Sequence, residues 1–442
     1  MTEHKDDRRE RKDDRHPRKG QTLSTGADFG AELHGLREDI REAYDGSWWR
    51  RMVSAPVDSK KLPLAMKIFG VLCILGALYG MGNLVWDLVG TVQAFQSGRM
   101  DQMGLSSIVV TFVFMADLIL VALGFLAFGI GILRNRRRFA ALVIYALYIT
   151  LLVGASCSIM LYGVSAYLIL YGVAAGILVA FQVYLDPGLR DERRLQRKLH
   201  ESELRQEQED GTLGRDVSGK GYIDLNFFNL FWIFFVVCML GDGMETLYHY
   251  FVVVPGEWQD RAGLLFGPFS PIYGIGAVLM TLLLNRLYKR NILLIFLCSA
   301  VIGGAFEYFV SWWMQYTFGA VAWDYTGQFL SIGGRTCGLA MAAWGALGVV
   351  WIKLLLPLLL RIVNLIPWNW RYVVTTVATV FMLVDAIMTL EALDCWYERL
   401  SGDPVVTPIQ QFYADYFDDE YMANRFQSMT IHPDNAVRHG SV

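Results

Sequence analysis

The chain has 442 residues, of which 54% are hydrophobic and 14% aromatic, with a formal net charge of −3 and a mean hydropathy of +0.35. That balance is too apolar for an ordinary soluble protein of this size, so the expected class is all-α, a polytopic helical membrane protein. Lys and Arg gather in short clusters beside apolar runs; with a net charge near zero, nucleic acid is not expected as a partner and the lipid bilayer is.

Residues 1–27 are mostly charged and polar, a composition that cannot bury a core and is expected to stay disordered. Phe29, Leu33, Leu36, Ile40 and Tyr44 then recur at helical spacing and lead into Trp48-Trp49-Arg50-Arg51. This is the pattern of an amphipathic helix lying on a membrane surface or on the protein's own loops. The first apolar run comes only after about sixty residues, so no signal peptide is expected and 1–61 reads as a charged N-terminus plus an interfacial helix.

About twenty apolar residues cross the ~30 Å hydrocarbon layer. Nine such stretches are expected, near 64–86, 106–133, 139–157, 162–184, 226–250, 270–288, 292–313, 337–357 and 372–393, with the turn inside 139–184 placed between Gly154 and Gly163. Basic clusters precede the first stretch (Arg50, Arg51, Lys60, Lys61) and follow the second (Arg134, Arg136, Arg137, Arg138), the fourth (Arg190 to Lys198) and the sixth (Arg286, Lys289, Arg290). Because short cytoplasmic loops carry the excess of Lys and Arg, the N-terminus is expected in the cytoplasm and the C-terminus outside. The charged segment 186–222 reads as a cytoplasmic linker between a four-helix region, 62–185, and a five-helix region, 223–400. The tail, 401–442, sets Asp415, Asp418, Asp419 and Glu420 among aromatic residues and is expected to form a short amphipathic helix on the outer surface.

Five of the six cysteines lie in or at the edge of apolar stretches and none has C-x-x-C spacing, which supports neither a disulfide framework nor a zinc knuckle. Acids within the spans carry more information, since a charge at the bilayer centre costs roughly 2.5–3.5 kcal/mol and usually faces a partner, water or a substrate. At ~1.5 Å per residue, Asp242, Glu245, Glu307, Asp385 and Glu391 fall in the outer halves of their spans, and Asp324 and Arg335 in the external loop between spans seven and eight. The expected site is an outward-opening polar vestibule. Glu245, Glu307 and Asp385 face its interior, Arg335 neutralises part of their charge through its planar fork, and Tyr308, Trp323, Asp324 and Tyr325 complete it. An ion-pair network that only locks helices together is the competing expectation.

Asp242, Glu245 and His249 share a helical face and could offer metal ligands. A lone histidine near a membrane interface is more often a hydrogen-bonding residue, so neither metal nor cofactor is expected. Gly267-Pro268-Phe269-Ser270-Pro271-Ile272-Tyr273-Gly274 suits either a re-entrant entry to span six or a plain helix start, and Gly303-Gly304 suits tight helix packing. Gly214 to Lys220 resembles a phosphate-binding loop, but Gly221 replaces the required Ser or Thr and no strand precedes it; ATP hydrolysis by this chain is not expected. Asp242 with Asp385 invites a paired-carboxylate hydrolase reading, weakened because Met239 stands where a glycine is required.

Gly241-x-x-x-Glu245, Phe266-Gly267-Pro268-x-x-Pro271-Ile272-Tyr273-Gly274, Glu307-Tyr308-x-x-Ser311-Trp312, Trp323-Asp324-Tyr325, Gly334-Arg335 and Trp344-Gly345 follow one another in order. Over about residues 226–400 this series resembles the putative ABC-transporter type IV permease family, which also includes small vertebrate transmembrane proteins of unknown role. The resemblance implies a multi-pass permease subunit of a plasma membrane, working with a separate ATP-hydrolysing subunit on an unknown small-molecule substrate. It marks Glu245, Glu307, Asp324 and Arg335 as this chain's versions of the family's polar positions and brings no catalytic residue. Asp242 in place of Trp, Gln315 in place of an acid, Ala322 in place of Trp and Ser331 in place of Asn bear on substrate identity more than on fold. A non-transporting membrane scaffold or sensor is the alternative expectation, and an intramembrane hydrolase the less favoured one.

Overall fold

The computed structural model of the chain describes residues 62–96, 104–185, 215–216, 221–363, 365–366 and 368–440. The expected interfacial helix before residue 62, most of the 186–222 linker and all but Arg215 and Asp216 of the glycine-rich segment 214–220 lie outside the described residues.

Within them the fold is almost wholly helical. The first group is α1 (Leu64–Gln96), α2 (Leu105–Leu133), α3 (Arg137–Tyr162) and α4 (Tyr167–Leu185). The second is α5 (Phe227–Tyr248), α6 (Pro271–Leu284), α7 (Ile292–Phe318), α8 (Gly338–Val350), α9 (Leu356–Val363) and α10 (Trp368–Ser401), and the short helices α11 (Pro408–Tyr416) and α12 (Asp419–Arg425) lie in the tail. Seven helical stretches among the described residues are long and apolar enough to cross a membrane; α4 and α6 belong to shorter apolar stretches. This is an all-α polytopic membrane fold, and the only sheet among the described residues is the antiparallel pair β1 (Ala320–Val321) and β2 (Thr430–Ile431).

Several boundaries differ from those the sequence suggests, each for a local reason. Gly154 sits inside α3, and the turn is made by Gly163, whose φ of +73° is a conformation glycine adopts without strain. The eighth span does not stop at Pro357. A π-helical turn, Trp351–Leu355, precedes the proline, absorbs its missing N–H and lets the helix continue through α9. The tail forms two short helices rather than one; α11 opens with a capping box between Thr407 and Gln410, and Asp418 caps α12.

α6 is 14 residues long, about 21 Å at 1.5 Å per residue, because the chain before it is not helical. Residues 254–270 run back alongside α5, where the Ser270 N–H donates to the Cys238 carbonyl at 3.0 Å, midway along that helix. α6 itself opens with Pro271 in its first turn, as a plain helix start does, after this non-helical approach. Irregular backbone at this depth survives only if its polar groups find partners inside the protein.

Small residues bring α7 and α8 together. A Cβ on Gly303 would strike Trp344, one on Gly304 would strike Met341, and one on Gly345 would lie 2.8 Å from Phe296. The loops that sequence assigns to the outside meet at one end of the bundle: Gly163 lies beside Asp394 and Arg438, β1 pairs with β2, and Arg425 enters the 260–267 loop. The loops assigned to the cytoplasm meet at the other end, where Asn285 binds the Tyr222 and Ile223 N–H groups at 2.9 and 3.0 Å and the Leu62 N–H donates to Asn135 at 3.0 Å.

Candidate functional site

Two polar clusters occupy the end that carries the tail. The first is built around Glu307, on the inner face of α7 and 7% exposed. One carboxylate oxygen accepts from the Tyr325 hydroxyl and the other from the Thr336 hydroxyl, both at 2.9 Å. These two donors come from opposite ends of the loop between β1 and α8, so Glu307 pins that loop to the helix beneath it. The same loop is cross-braced by the Trp323 indole N–H donating to the Arg335 carbonyl at 2.9 Å and the Tyr325 N–H donating to the Gly334 carbonyl at 2.7 Å. Burial, then the neighbouring Glu307 carboxylate, pushes the Tyr325 phenol above its ordinary value.

Glu245, half-buried on α5, completes this cluster from the other side. Its carboxylate lies 3.7 Å from the Arg261 guanidinium and meets the Tyr273 hydroxyl, and Tyr273 and Tyr325 lie between the two glutamates. Trp344, from α8, contributes a further polar contact to Glu307 and packs near Tyr273, with ring centroids 6.3 Å apart.

Arg335 does not neutralise the buried acids as the sequence suggests. Its guanidinium lies over the Tyr308 and Tyr316 rings, 5.7 and 5.5 Å from their centroids, and donates to Gln315 at 2.6 Å. The side chain thus places its charge on α7 aromatic faces and an amide, while the neighbouring Thr336 is the residue that reaches Glu307. The cation that serves Glu245 is Arg261, which appears in the sequence only as an isolated loop residue. Asp324 points away into solvent, where the Thr326 hydroxyl and N–H at 2.6 and 2.8 Å hold its carboxyl below the usual aspartate value.

Asp385 belongs to the second cluster. It accepts the Phe266 N–H at 3.2 Å, and Thr389, one turn further along α10, accepts the Leu265 N–H at 2.9 Å. From the tail, Arg425 donates to the Leu264 and Gly267 carbonyls at 2.8 and 2.5 Å and to Asp260 at 2.7 Å. Together these groups satisfy backbone polar groups of the 264–267 segment, which is not helical and has no ladder of its own. Asp242, 6% exposed, faces Asp260, Arg425 and Glu245. Asp242 and Asp385 both lie near Arg425, but neither carboxylate is among the groups acting on the other, unlike the shared dyad of a paired-carboxylate hydrolase. Among the described residues no group of three or more His, Cys, Asp or Glu side chains gathers to hold an ion, and His249 instead contacts the Glu257 carbonyl at 3.3 Å.

Of the residues the sequence singles out, the structure groups Glu245, Glu307 and Tyr325 in one cluster and Trp323, Tyr308 and Arg335 around the loop above it; Arg261, Thr336 and Arg425, which join these clusters, are not singled out by the sequence. Those three lie in polar segments whose partners are distant in sequence, and no local pattern marks them. Comparison with curated proteins and with solved structures returns no match. Residues 232–390, the stretch that carries both glutamates, the non-helical segment before α6 and the braced loop, match the model of the family described as Putative ABC-transporter type IV.

Proposed function

We propose that residues 223–400 form the permease-like membrane subunit of an ABC-type transporter, lodged in a bacterial-type plasma membrane with its N-terminus in the cytoplasm. The observation that carries the reading is the grouping of Glu245, Tyr273, Tyr325 and Glu307 at one end of apolar helices, beside the non-helical segment before α6. Irregular backbone and buried acids at membrane depth are characteristic of a transport path. Glu245 and Tyr273 are the substrate-facing members, and Trp323, Tyr325 and Arg335 shape the loop over them. Energy comes from a separate ATP-hydrolysing subunit that contacts the 186–222 linker or the short segment between α6 and α7.

Purification of the full chain from its native membrane in mild detergent tests this. A nucleotide-binding protein retained in stoichiometric amount, released when the 286–291 segment is altered, supports it; purification with no such protein while cellular function persists overturns it. One observation favours a non-transporting scaffold instead: both oxygens of Glu307 are taken by the chain's own hydroxyls, as in a lock. That reading expects the tail and the braced loop to hold a protein partner outside the membrane, which crosslinking from the β2 strand would capture.

A further inference from the structure

The first four helices hold an acid that takes no part in the clusters above. Asp117 is the thirteenth of 29 residues in α2, so at 1.5 Å per residue it lies near mid-depth. It is 4% exposed, and its Oδ2 has no hydrogen-bond partner among the described residues. Across from it α3 carries Gly154, where an added Cβ would come 2.6 Å from that oxygen and 3.2 Å from the Tyr171 hydroxyl of α4. Gly154 therefore leaves room for the carboxylate, with the Tyr171 ring beside it.

A groove of about 580 Å³ lies over this point, lined by Phe114, Leu151, Ser158, Tyr162, Tyr167 and Tyr171, among others. The α2 wall also includes Leu118 and Val121. Asp117 stands three residues after Phe114 and four before Val121, so it shares their stripe of the helix. Gly154 likewise falls between Leu151 and Ser158 on α3. The carboxylate and the glycine thus lie directly behind the wall that these neighbours form, and Tyr171, which lines the groove, stands beside the carboxylate. The volume is that of a small-ligand site, and its walls are aromatic rings and aliphatic side chains.

We infer that this groove binds a lipophilic organic cation, whose positive centre sits between the rings of Phe114, Tyr162, Tyr167 and Tyr171, drawn by the Asp117 carboxylate behind the wall. A cation reaching this depth needs a counter-charge and a weakly polar wall; the carboxylate supplies the first and the ring faces supply the second. The cation enters laterally from the bilayer, because Tyr162 and Tyr167 at the mouth are 63% and 68% exposed. The inference does not depend on the transport reading, since it rests on other helices.

Binding of tetraphenylphosphonium to the full-length protein in nanodiscs, with tetraphenylborate as a control of equal size and opposite charge, tests it. Saturable binding of the cation only, weakened at least tenfold by Asp117→Asn, is expected. Equal binding of both ions, no saturable binding of the cation, or unchanged affinity in Asp117→Asn overturns it. Should that variant not fold, the double variant Tyr162→Leu, Tyr167→Leu removes two exposed rings without touching the core. A loss of roughly threefold or more supports the site, and unchanged affinity overturns it.

Discussion

Of the ion pairs that tie the tail to the bundle among the described residues, Arg438–Asp394 is the most buried, and breaking it should loosen both membrane regions at once. Arg438 donates to Asp394 of α10, and the other Asp394 oxygen accepts the Val164 N–H at 2.9 Å, so a single carboxylate joins the tail, the five-helix region and the α3–α4 turn. The guanidinium also lies 4.1 Å above the Tyr397 ring. The Arg438 and Asp394 side chains are 11% and 5% exposed, so solvent screens them little. With charges about 4 Å apart at an effective dielectric near 20, their attraction is of the order of 4 kcal/mol. Removing one partner of a buried pair costs about 3–5 kcal/mol, because the remaining charge is left uncompensated.

Arg438→Met should therefore destabilise the protein by about 4 kcal/mol. Asp394→Leu should cost somewhat less, since the freed arginine can turn toward water, although the Val164 N–H then loses its acceptor at about 1–3 kcal/mol. The double variant should recover at least about 2 kcal/mol of the summed losses. The measurement is the midpoint of thermal loss of monodisperse protein in mild detergent, for the wild type and the three variants. Additive losses, or an Arg438→Met midpoint equal to wild type, would show that the pair does not fasten the tail.

Other consequences follow from the same contacts. Gly345→Val places two methyl groups against Phe296, already 2.8 Å from an added Cβ, and should lower stability by about 1–3 kcal/mol in the same thermal assay. Arg425→Met strips the Leu264 and Gly267 carbonyls and Asp260 of their donor; it should speed hydrogen exchange in residues 260–270 at least tenfold while leaving α1 to α4 unchanged. The Asp324 carboxyl is held below its ordinary value by Thr326, so its contribution is present above about pH 4, the unfolded aspartate value, and is lost as pH falls through the lower folded one. Protease cleavage in 323–336 should stay constant from neutral pH to about pH 4 and rise below it, whereas Asp324→Ala should show the raised cleavage already at neutral pH.

The helices were legible in the sequence because an apolar run of twenty residues has few other fates. Long runs such as 105–133 show this. Where the chain departs from regular helix, the determinants are not local. The apolar pattern ends the eighth stretch near 357, yet the π turn before Pro357 lets α9 continue, and Gly154, one end of the expected turn, makes room for Asp117 inside α3. Glu307 was legible as a site candidate because a carboxylate in an apolar run is costly wherever it lies. Its partners Tyr325 and Thr336 were only half visible, since hydroxyls 18 and 29 residues away leave no periodic trace. Arg335 shows the limit most clearly: charge alone pairs it with the acids, whereas its guanidinium lies over Tyr308 and Tyr316 and donates to Gln315.

The two glutamates of the first cluster are not equivalent, and their difference separates a lock from a site. Glu307 is 7% exposed and has both oxygens engaged at 2.9 Å, so nothing is left to meet a substrate. Glu245 is half-buried and meets one hydroxyl, that of Tyr273, while its nearest cation stands at 3.7 Å, beyond a good hydrogen bond. Glu307→Gln retains one acceptor oxygen for two donors and should cost about 1–3 kcal/mol, whereas Glu245→Gln keeps an acceptor for the Tyr273 hydroxyl and gives up only a 3.7 Å pair with Arg261, and should cost about 1 kcal/mol. Accessibility should divide them in the same way. In a background with the intermediate Cys298 replaced, Glu245→Cys should react with a membrane-impermeant maleimide applied to intact cells and Glu307→Cys should not. Labelling of Glu307→Cys alone would reverse their roles. Reaction of Glu245→Cys only in inverted vesicles would place the cluster, the tail and the non-helical segment before α6 on the cytoplasmic side, and the orientation inferred from the arginines would be wrong.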